Sequence, residues 1–306
     1  MKQYRTLFSV SACLLMLSAC GGSNDDDTAG ISNVSIPFAA KSGSTEITCG
    51  AALSGLGSSA DGGTVADFAF YVHDIQLIDK NGTKHATTLE SNDFQDAEYG
   101  VALLDFQDKG DSCQGSEKPV NTMVDVTVDG VDPADITGVA FKVGVPSEIN
   151  HHEAATSQPP YNRSGLFWKW QTGHKFMRLD INPASKVQLG YDVNGVTEAN
   201  TYFFHLGSTG CEGDPVTGEI VSCGSPNHPQ VELTDGFSVN NLTSSTVVFD
   251  YAKFVAGVNL NVDMMAPSGC MSGPMDPECV TLFNHLGMKH GSTAATGSQT
   301  VFSVEN

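Results

Sequence analysis

Apolar and polar residues alternate with a period of two over much of the chain, the pattern of strands that bury one face. Residues 139–145 and 187–193 both show it. The second run ends at Asn194-Gly195, a strong hairpin signal, and Asn81-Gly82 is another turn of the same kind. Many short strands punctuated by turn residues predict an all-β fold of the sandwich or barrel type.

The run from Phe68 to Ile78 changes phase in its middle, and a β-bulge near His73-Asp74 explains that change. Helix is scarce, and residues 278–286 form the best short candidate. We therefore predict a single β-sandwich-like domain over residues 34–306, with disulfide-closed loops and little helix. A division into two β-subdomains near Pro146 stays open at this point.

The first residues form a separate segment. Lys2 and Arg5 precede an apolar run, residues 7–17, that is too short to span a bilayer and ends at Leu-Ser-Ala-Cys. This pattern predicts a signal peptide over residues 1–19, a lipidated Cys20 and a flexible tether over residues 20–33. The only membrane attachment we expect is through this lipid. Gly21 after the cysteine is typical of lipoproteins sent to the outer membrane, so we expect a periplasmic or cell-surface location there.

The net charge of the chain limits the classes of molecule that the protein can bind. The 306 residues include 35 acidic and 15 basic side chains, a formal charge of −20. A surface of this sign repels phosphate backbones and attracts cations, which argues against binding to nucleic acid.

Six of the eight cysteines remain after Cys13 leaves with the signal peptide and Cys20 takes the lipid. In an oxidising compartment they predict three disulfides, and two pairs bracket short loops rich in glycine, proline and acidic residues. We predict Cys211–Cys223 and Cys270–Cys279, which leaves Cys49–Cys113 by elimination. A thiolate metal site is the competing interpretation, but the chain has no Cys-x-x-Cys motif.

The usual signatures of enzymes are missing. The sequence has no Walker loop, no His-Glu-x-x-His and no Gly-x-Ser-x-Gly motif, and its acidic residues are scattered without an identifiable catalytic pair. We therefore expect a protein that is not an enzyme, and a metal-dependent enzyme ranks last among the hypotheses.

Candidate metal ligands gather near both tryptophans of the chain. His151 and His152 precede Trp168 and Trp170, and His174 and His205 follow them. Imidazole is a good ligand for copper, so copper is the metal that this set suggests. Two tryptophans two residues apart on a strand would project to the same face. The competing interpretation is that these aromatic residues only pack in the core of a sandwich.

These motifs together resemble the MbnP-like family, one half of the metallo-mystery pair. The resemblance rests on residues 165–176 around Trp168-Lys169-Trp170, on residues 205–211, and on the four cysteines from Cys211 to Cys279. It implies a copper-binding protein with an MbnH-like partner, a di-haem protein related to cytochrome c peroxidases. It also implies that the partner oxidises one tryptophan, Trp168 or Trp170, to kynurenine.

The resemblance also ranks the ligands. His151 and His205 match the positions expected for family histidines, while His152 and His174 depart from the family pattern and are secondary candidates. The alternative function is a surface lipoprotein without a metal, which binds glycans or acts in adhesion. In that case the two tryptophans would form an exposed stacking platform.

Overall fold

The structure is a computed structural model that describes residues 30–214, 219–239 and 245–306. The predicted signal peptide, the lipidated Cys20 and most of the predicted tether lie outside these residues. Among the described residues, none of the helices has the length and apolarity needed to cross a bilayer.

The regular structure of the described chain is mainly β-strand, as the alternation predicts. Its three α-helices are short: α1 (Ser147–Asn150), α2 (Tyr251–Phe254) and α3 (Cys279–His285). The strands are β1 (Ser32–Ser42), β2 (Thr45–Glu46), β3 (Ala52–Leu56), β4 (Asp61–Asp79), β5 (Lys84–Leu89), β6 (Gln95–Asp96), β7 (Val101–Asp105), β8 (Lys109–Gly110), β9 (Gln114–Glu117), β10 (Met123–Val128), β11 (Ile136–Val143), β12 (Phe167–Lys169), β13 (Gly173–His174), β14 (Met177–Pro183), β15 (Val187–Val193), β16 (Val196–Ala199), β17 (Tyr202–Leu206), β18 (Thr209–Gly213), β19 (Ile220–Ser225), β20 (Gln230–Leu233), β21 (Thr246–Asp250), β22 (Val262–Asp263), β23 (Gly269–Cys270) and β24 (Phe302–Glu305).

The long strand β4 organises the main sheet. It pairs antiparallel with β3, β5, β7, β11 and β14, and the sheet continues from β14 to β17 and then to β23. On the other side it runs from β5 through β10 and β1 to β21 and β24. Since β4 has 19 residues, it can carry different neighbours along its length.

Aromatic rings fill the space where the curled sheet faces itself. Phe38 on β1 lies 5.6 Å from Phe141 on β11, and Phe249 on β21 lies 5.0 Å from Phe68 on β4. Phe302 on β24 lies 5.5 Å from Phe141. Strands β1, β21 and β24 therefore pack face to face on β4 and β11, and the all-β sandwich-like prediction is confirmed.

Several local predictions are confirmed. The β4–β11 register shifts where Asp74 has a φ of 50°, which is the predicted bulge. Asn194-Gly195 turns β15 into β16 with positive φ at both residues, as a type I′ hairpin requires. Helix α3 lies within the predicted range of residues 278–286.

The disulfide pairing is also confirmed. The structure contains Cys49–Cys113, Cys211–Cys223 and Cys270–Cys279. Cys211 and Cys223 are directly opposite each other in the β18–β19 hairpin, and Cys270 joins β23 to the first residue of α3. The last two bridges span 12 and 9 residues of sequence, whereas Cys49–Cys113 spans 64.

Candidate metal centre

Strands β14 and β17 place charged side chains on one buried face. They pair antiparallel with Arg178 opposite His205 and with Asp180 opposite Phe203. Side chains two residues apart on a strand share a face, and directly opposite residues share it as well. Arg178, Asp180 and His205 therefore meet inside the sheet, although β14 is otherwise mostly apolar.

The His205 imidazole is held in one orientation by these neighbours. Its Nε2 lies 2.9 Å from Asp180 Oδ1, and Arg178 Nε donates to Asp180 Oδ2 at 2.8 Å. Arg178 Nη1 in turn lies 2.8 Å from Asp67 Oδ2. Because an ionised carboxylate only accepts hydrogen bonds, the ring proton is on Nε2 and the lone pair of His205 is on Nδ1.

The Nδ1 atom of His205 is buried and has no hydrogen-bond partner. Burial lowers the pKa of His205, and this effect outweighs the hydrogen bond to Asp180, which raises the pKa. The side chain is only 8% exposed. The fold thus presents a neutral imidazole with an unused lone pair, and a carboxylate on the other ring nitrogen is the arrangement found behind metal-bound histidines.

The Trp168 ring lies beside this imidazole. Its centroid is 6.3 Å from that of His205, and Lys175 Nζ lies 6.0 Å from the ring. A Cβ atom at Gly207 would come within 2.5 Å of Trp168 Cζ3, so glycine is required for the ring to lie against β17. Trp168 is half-buried rather than displayed on the surface.

His151 occupies the C-terminal end of α1 and contacts the second tryptophan through its backbone. Its Nδ1 donates to the Trp170 carbonyl at 2.8 Å, which leaves the lone pair on Nε2. That Nε2 lies 3.2 Å from Asn150 Nδ2 and 3.5 Å from Cys223 Sγ. Burial lowers the pKa of His151, so this imidazole is also held neutral.

Asn150 links the surroundings of His151 to those of His205. Its Nδ2 lies 3.3 Å from Ser208 Oγ, three residues after His205, and its Oδ1 accepts from the His174 backbone N–H at 2.9 Å. The amide of a single buried side chain thus contacts both segments that carry first-choice ligands.

His174 is fully buried, and backbone carbonyls occupy both of its ring nitrogens. Nδ1 lies 2.7 Å from the Asn150 carbonyl and Nε2 lies 3.2 Å from the Tyr161 carbonyl. A metal at His174 would displace a contact with a buried backbone carbonyl, whereas a metal at His151 Nε2 would displace only the side-chain contact with Asn150 Nδ2. We therefore leave His174 out of the proposed ligand set. His152, the other secondary candidate, is exposed to solvent.

One geometric expectation about the tryptophans is wrong. Strand β12 ends at Lys169, and Trp170 lies in the turn that leads to β13. Because the strand alternation stops before Trp170, it does not place the two rings on a common face. Of the two tryptophans, only Trp168 has a ring contact with His205 among the described residues, and the Phe203 ring lies 5.5 Å from the same imidazole.

The disulfide sulfurs do not add ligands. His151, Cys211 and Cys223 have potential ligand atoms within 4.8 Å of one another, but both sulfurs belong to one disulfide. A disulfide has no thiolate to offer a metal, in agreement with the sequence-based interpretation of these cysteines as paired.

The sequence reasoning missed Arg178, Asp180 and Asn150. A signal for the first two is present, because Arg178 and Asp180 are charged residues at alternate positions of an otherwise apolar strand. Charges on the buried face of a strand need partners, so this spacing indicates a buried polar cluster. Asn150 has no comparable signal.

The fold and these residues define a disulfide-bonded β-protein with a histidine–tryptophan site. A model of the MbnP family matches residues 31–272, which include Trp168, His151 and His205. The solved structure of MbnP from Methylosinus trichosporium is similar, with a TM-score of 0.76 and 29% identity over 90% of this chain and 98% of that chain. The comparison with curated proteins finds no match. The chain belongs to the MbnP family.

Proposed function

We propose that this protein is an exported, lipid-anchored copper-binding protein that stores, delivers or senses the metal. The observation that carries the proposal is the buried, unpartnered Nδ1 of His205 beside the Trp168 ring. Membership of the MbnP family supports the same conclusion through the resemblance described above.

The ligands that we propose are His205 through Nδ1 and His151 through Nε2. Imidazole nitrogen binds both Cu(I) and Cu(II), and a ligating histidine must be neutral. Burial lowers the pKa of both histidines, which favours the neutral form. Asp180 and the Trp170 carbonyl accept from the other nitrogen of each ring and orient it.

Trp168 is the residue that we propose is oxidised to kynurenine by a di-haem, MbnH-like partner. Its ring is next to His205, whereas Trp170 contacts His151 through a backbone carbonyl. Two hydrogen peroxide molecules would insert two oxygen atoms across the indole C2–C3 bond and leave as water. Hydrolysis then removes one carbon as formate. The product has an aniline nitrogen and a ketone, which a metal can approach, while indole offers only an N–H donor.

We propose that the protein is not an enzyme, because His205 is almost inaccessible to a substrate. Attachment to the outer membrane through Cys20 is part of the same proposal. The glycan-binding alternative requires both tryptophans on one exposed face. Since β12 ends before Trp170 and Trp168 is half-buried, no observation favours it.

The test is to produce the mature protein with and without its di-haem partner and to measure intact mass and bound copper. Co-production should add about 4 Da, since kynurenine has one more oxygen and one fewer carbon than tryptophan, and should increase the copper content. Trp168→Phe should abolish the added mass, and the matched Trp170→Phe should retain it. Absence of both the added mass and the copper in the co-produced wild type would disprove the proposal.

A further inference from the structure

The Cys211–Cys223 disulfide lies against the imidazole of His151. Cys223 Sγ is 3.5 Å from His151 Nε2, and the nitrogen and both sulfurs all lie within 4.8 Å of one another. Bonds of about 2.3 Å to sulfur and about 2.0 Å to nitrogen, as in zinc sites, separate two ligands of one ion by about 3.5 Å. The three atoms are therefore close enough to share one metal ion once the sulfurs can bind it.

The His151 nitrogen that faces the bridge carries the lone pair of the ring. Nδ1 donates to the Trp170 carbonyl at 2.8 Å, so Nε2 is the acceptor. Its other neighbour is the side-chain amide Nδ2 of Asn150, at 3.2 Å, which a metal can displace. The nitrogen is thus ready to bind a metal, whereas the sulfurs become ligands only as thiolates.

The β18–β19 hairpin does not need the bridge to keep its two cysteines opposite each other. Backbone pairing brackets them, with Thr209 opposite Ser225 on one side and further pairs towards the turn on the other. Asn227 Nδ2 also donates to the Gly207 carbonyl at 2.8 Å and joins the two ends of the hairpin. Side chains of directly opposite residues share a face of the hairpin. Reduction would therefore leave both sulfurs next to each other and next to His151.

The bridge is also open to a reductant. Cys223 is partly exposed, whereas both cysteines of the Cys270–Cys279 bridge are fully buried. A disulfide is reduced when a thiolate attacks one of its sulfurs, so access to the sulfur limits the reaction. Cys49–Cys113 is partly exposed as well, but among the described residues it belongs to no group of three candidate metal ligands. Cys211–Cys223 combines access with a neighbouring histidine.

We propose that reduction of Cys211–Cys223 creates a Cu(I) site formed by two thiolates and the His151 imidazole. A protein dithiol transfers two electrons and two protons to the bridge, the S–S bond breaks into two thiols, and the reductant becomes a disulfide. Binding of Cu(I) then releases the two thiol protons to the solvent. Soft thiolate ligands favour Cu(I) over hard cations, and imidazole is a good third ligand for it.

This inference deepens the proposed copper function and rests on it for the choice of metal. With the bridge oxidised, His151 offers the metal one nitrogen and the sulfurs offer no thiolate. With the bridge reduced, the same nitrogen is joined by two thiolates. Copper affinity should therefore rise under reducing conditions, which would make copper retention sensitive to the redox state of the surroundings.

The test uses the mature Trp168→Phe protein, produced without the di-haem partner, so that no kynurenine forms at the proposed position. The protein is reduced with dithiothreitol, the reductant is removed without air, and free thiols are mapped by alkylation and mass spectrometry. Titration with Cu(I) against a coloured chelator then compares the reduced and oxidised forms. The reduced form should bind Cu(I) at least about tenfold more tightly and show sulfur-to-copper absorption in the near ultraviolet.

Three variants in this background assign the ligands. Replacement of both Cys211 and Cys223 by serine should abolish the gain in affinity on reduction. Replacement of both Cys49 and Cys113 by serine is the matched control, because it removes a partly exposed bridge outside the site, and it should retain the gain. His151→Ala keeps the reducible bridge and should weaken Cu(I) binding by the reduced protein by at least about tenfold. Circular dichroism reports whether each variant is folded.

Two results would overturn the proposal. One is a folded protein in which dithiothreitol does not free Cys211 and Cys223. The other is a reduced form that binds Cu(I) no more tightly than the oxidised form, or that keeps its gain when His151 or the two cysteines are replaced. Because the partner and Trp168 are both absent from the test, a failure of kynurenine formation would leave its result unchanged.

Discussion

At the scale of single residues, the chemistry of His205 is determined by Asp180. The carboxylate accepts from Nε2 and leaves the lone pair on a buried Nδ1, and a hydrogen bond from Arg178 holds the carboxylate in position. His85 also has a carboxylate partner, since its Nε2 lies 3.1 Å from Asp79 Oδ2, but it lies on a hairpin far along the chain from the tryptophans. A histidine–carboxylate pair alone is therefore not the distinguishing feature, and the neighbouring tryptophan is.

The first prediction separates these histidines. His205→Ala and His151→Ala should each reduce copper affinity by about 100-fold or more, because each removes a proposed ligand. His85→Ala should leave copper affinity unchanged. Isothermal titration with copper measures the three variants against the wild type, and urea unfolding reports whether each is folded. Equal copper affinity in His205→Ala and wild type would rule out His205 as a ligand.

At the scale of elements, the β12–β13 hairpin packs closely against helix α1 at Gly173. Gly173 has a φ of +77°, and a Cβ atom there would lie 2.6 Å from Asn150 Oδ1. Asn150 in turn contacts His151 and Ser208, so the close approach of the hairpin to α1 positions the surroundings of the site. The glycine in the Trp-x-Trp region is thus needed for packing as well as for its turn.

The second prediction tests the close packing at Gly173 with a matched pair of glycines. Gly195 has a similar φ of +86°, and a Cβ atom added there would meet no atom within 4 Å. Gly195→Ala should therefore lower the free energy of unfolding by about 1 kcal/mol from backbone strain alone. Gly173→Ala should cost about 3 kcal/mol, because it adds a collision with Asn150 to the same strain.

Urea unfolding measures the free energies of unfolding, and titration with copper measures the copper affinity of each variant. Only Gly173→Ala should also weaken copper binding. Equal losses of stability in the two variants would show that the contact with Asn150 carries no energy.

At the scale of the whole molecule, the sandwich buries polar side chains where strands join. His73 on β4 donates from Nδ1 to the Gly144 carbonyl after β11, and its ring lies 4.9 Å from that of His228 before β20. Burial, followed by the charge of His228, lowers the pKa of His73 from 6.5 to about 4. The folded state therefore requires the neutral imidazole.

The third prediction is a loss of stability in acid. Since the pKa of His73 is lower in the folded than in the unfolded chain, its contribution is present above about pH 6.5 and is lost as the pH falls towards 4. His73→Gln cannot be protonated, so its free energy of unfolding should lack this part of the decline. Urea unfolding between these pH values measures both proteins, and parallel declines would contradict the assignment to His73.

Local signals in the sequence predicted much of the fold. The bulge at His73-Asp74, the Asn194-Gly195 hairpin and helix α3 each follow from side chains within a few residues of one another. The disulfide pairing was predictable because two pairs bracket short loops. The candidate site was predictable only as a set of residue types, since the imidazoles of His151 and His205 acquire their tautomers from distant partners.

The sequence by itself determined the all-β class, the turns, the disulfides and the set of histidines and tryptophans. These depend on periodicity and on close spacing along the chain. Only the tertiary structure decided that Asp180 orients His205 and that Trp168 rather than Trp170 lies beside it. Those contacts depend on strand register and on the approach of segments far apart in sequence, which no local pattern encodes.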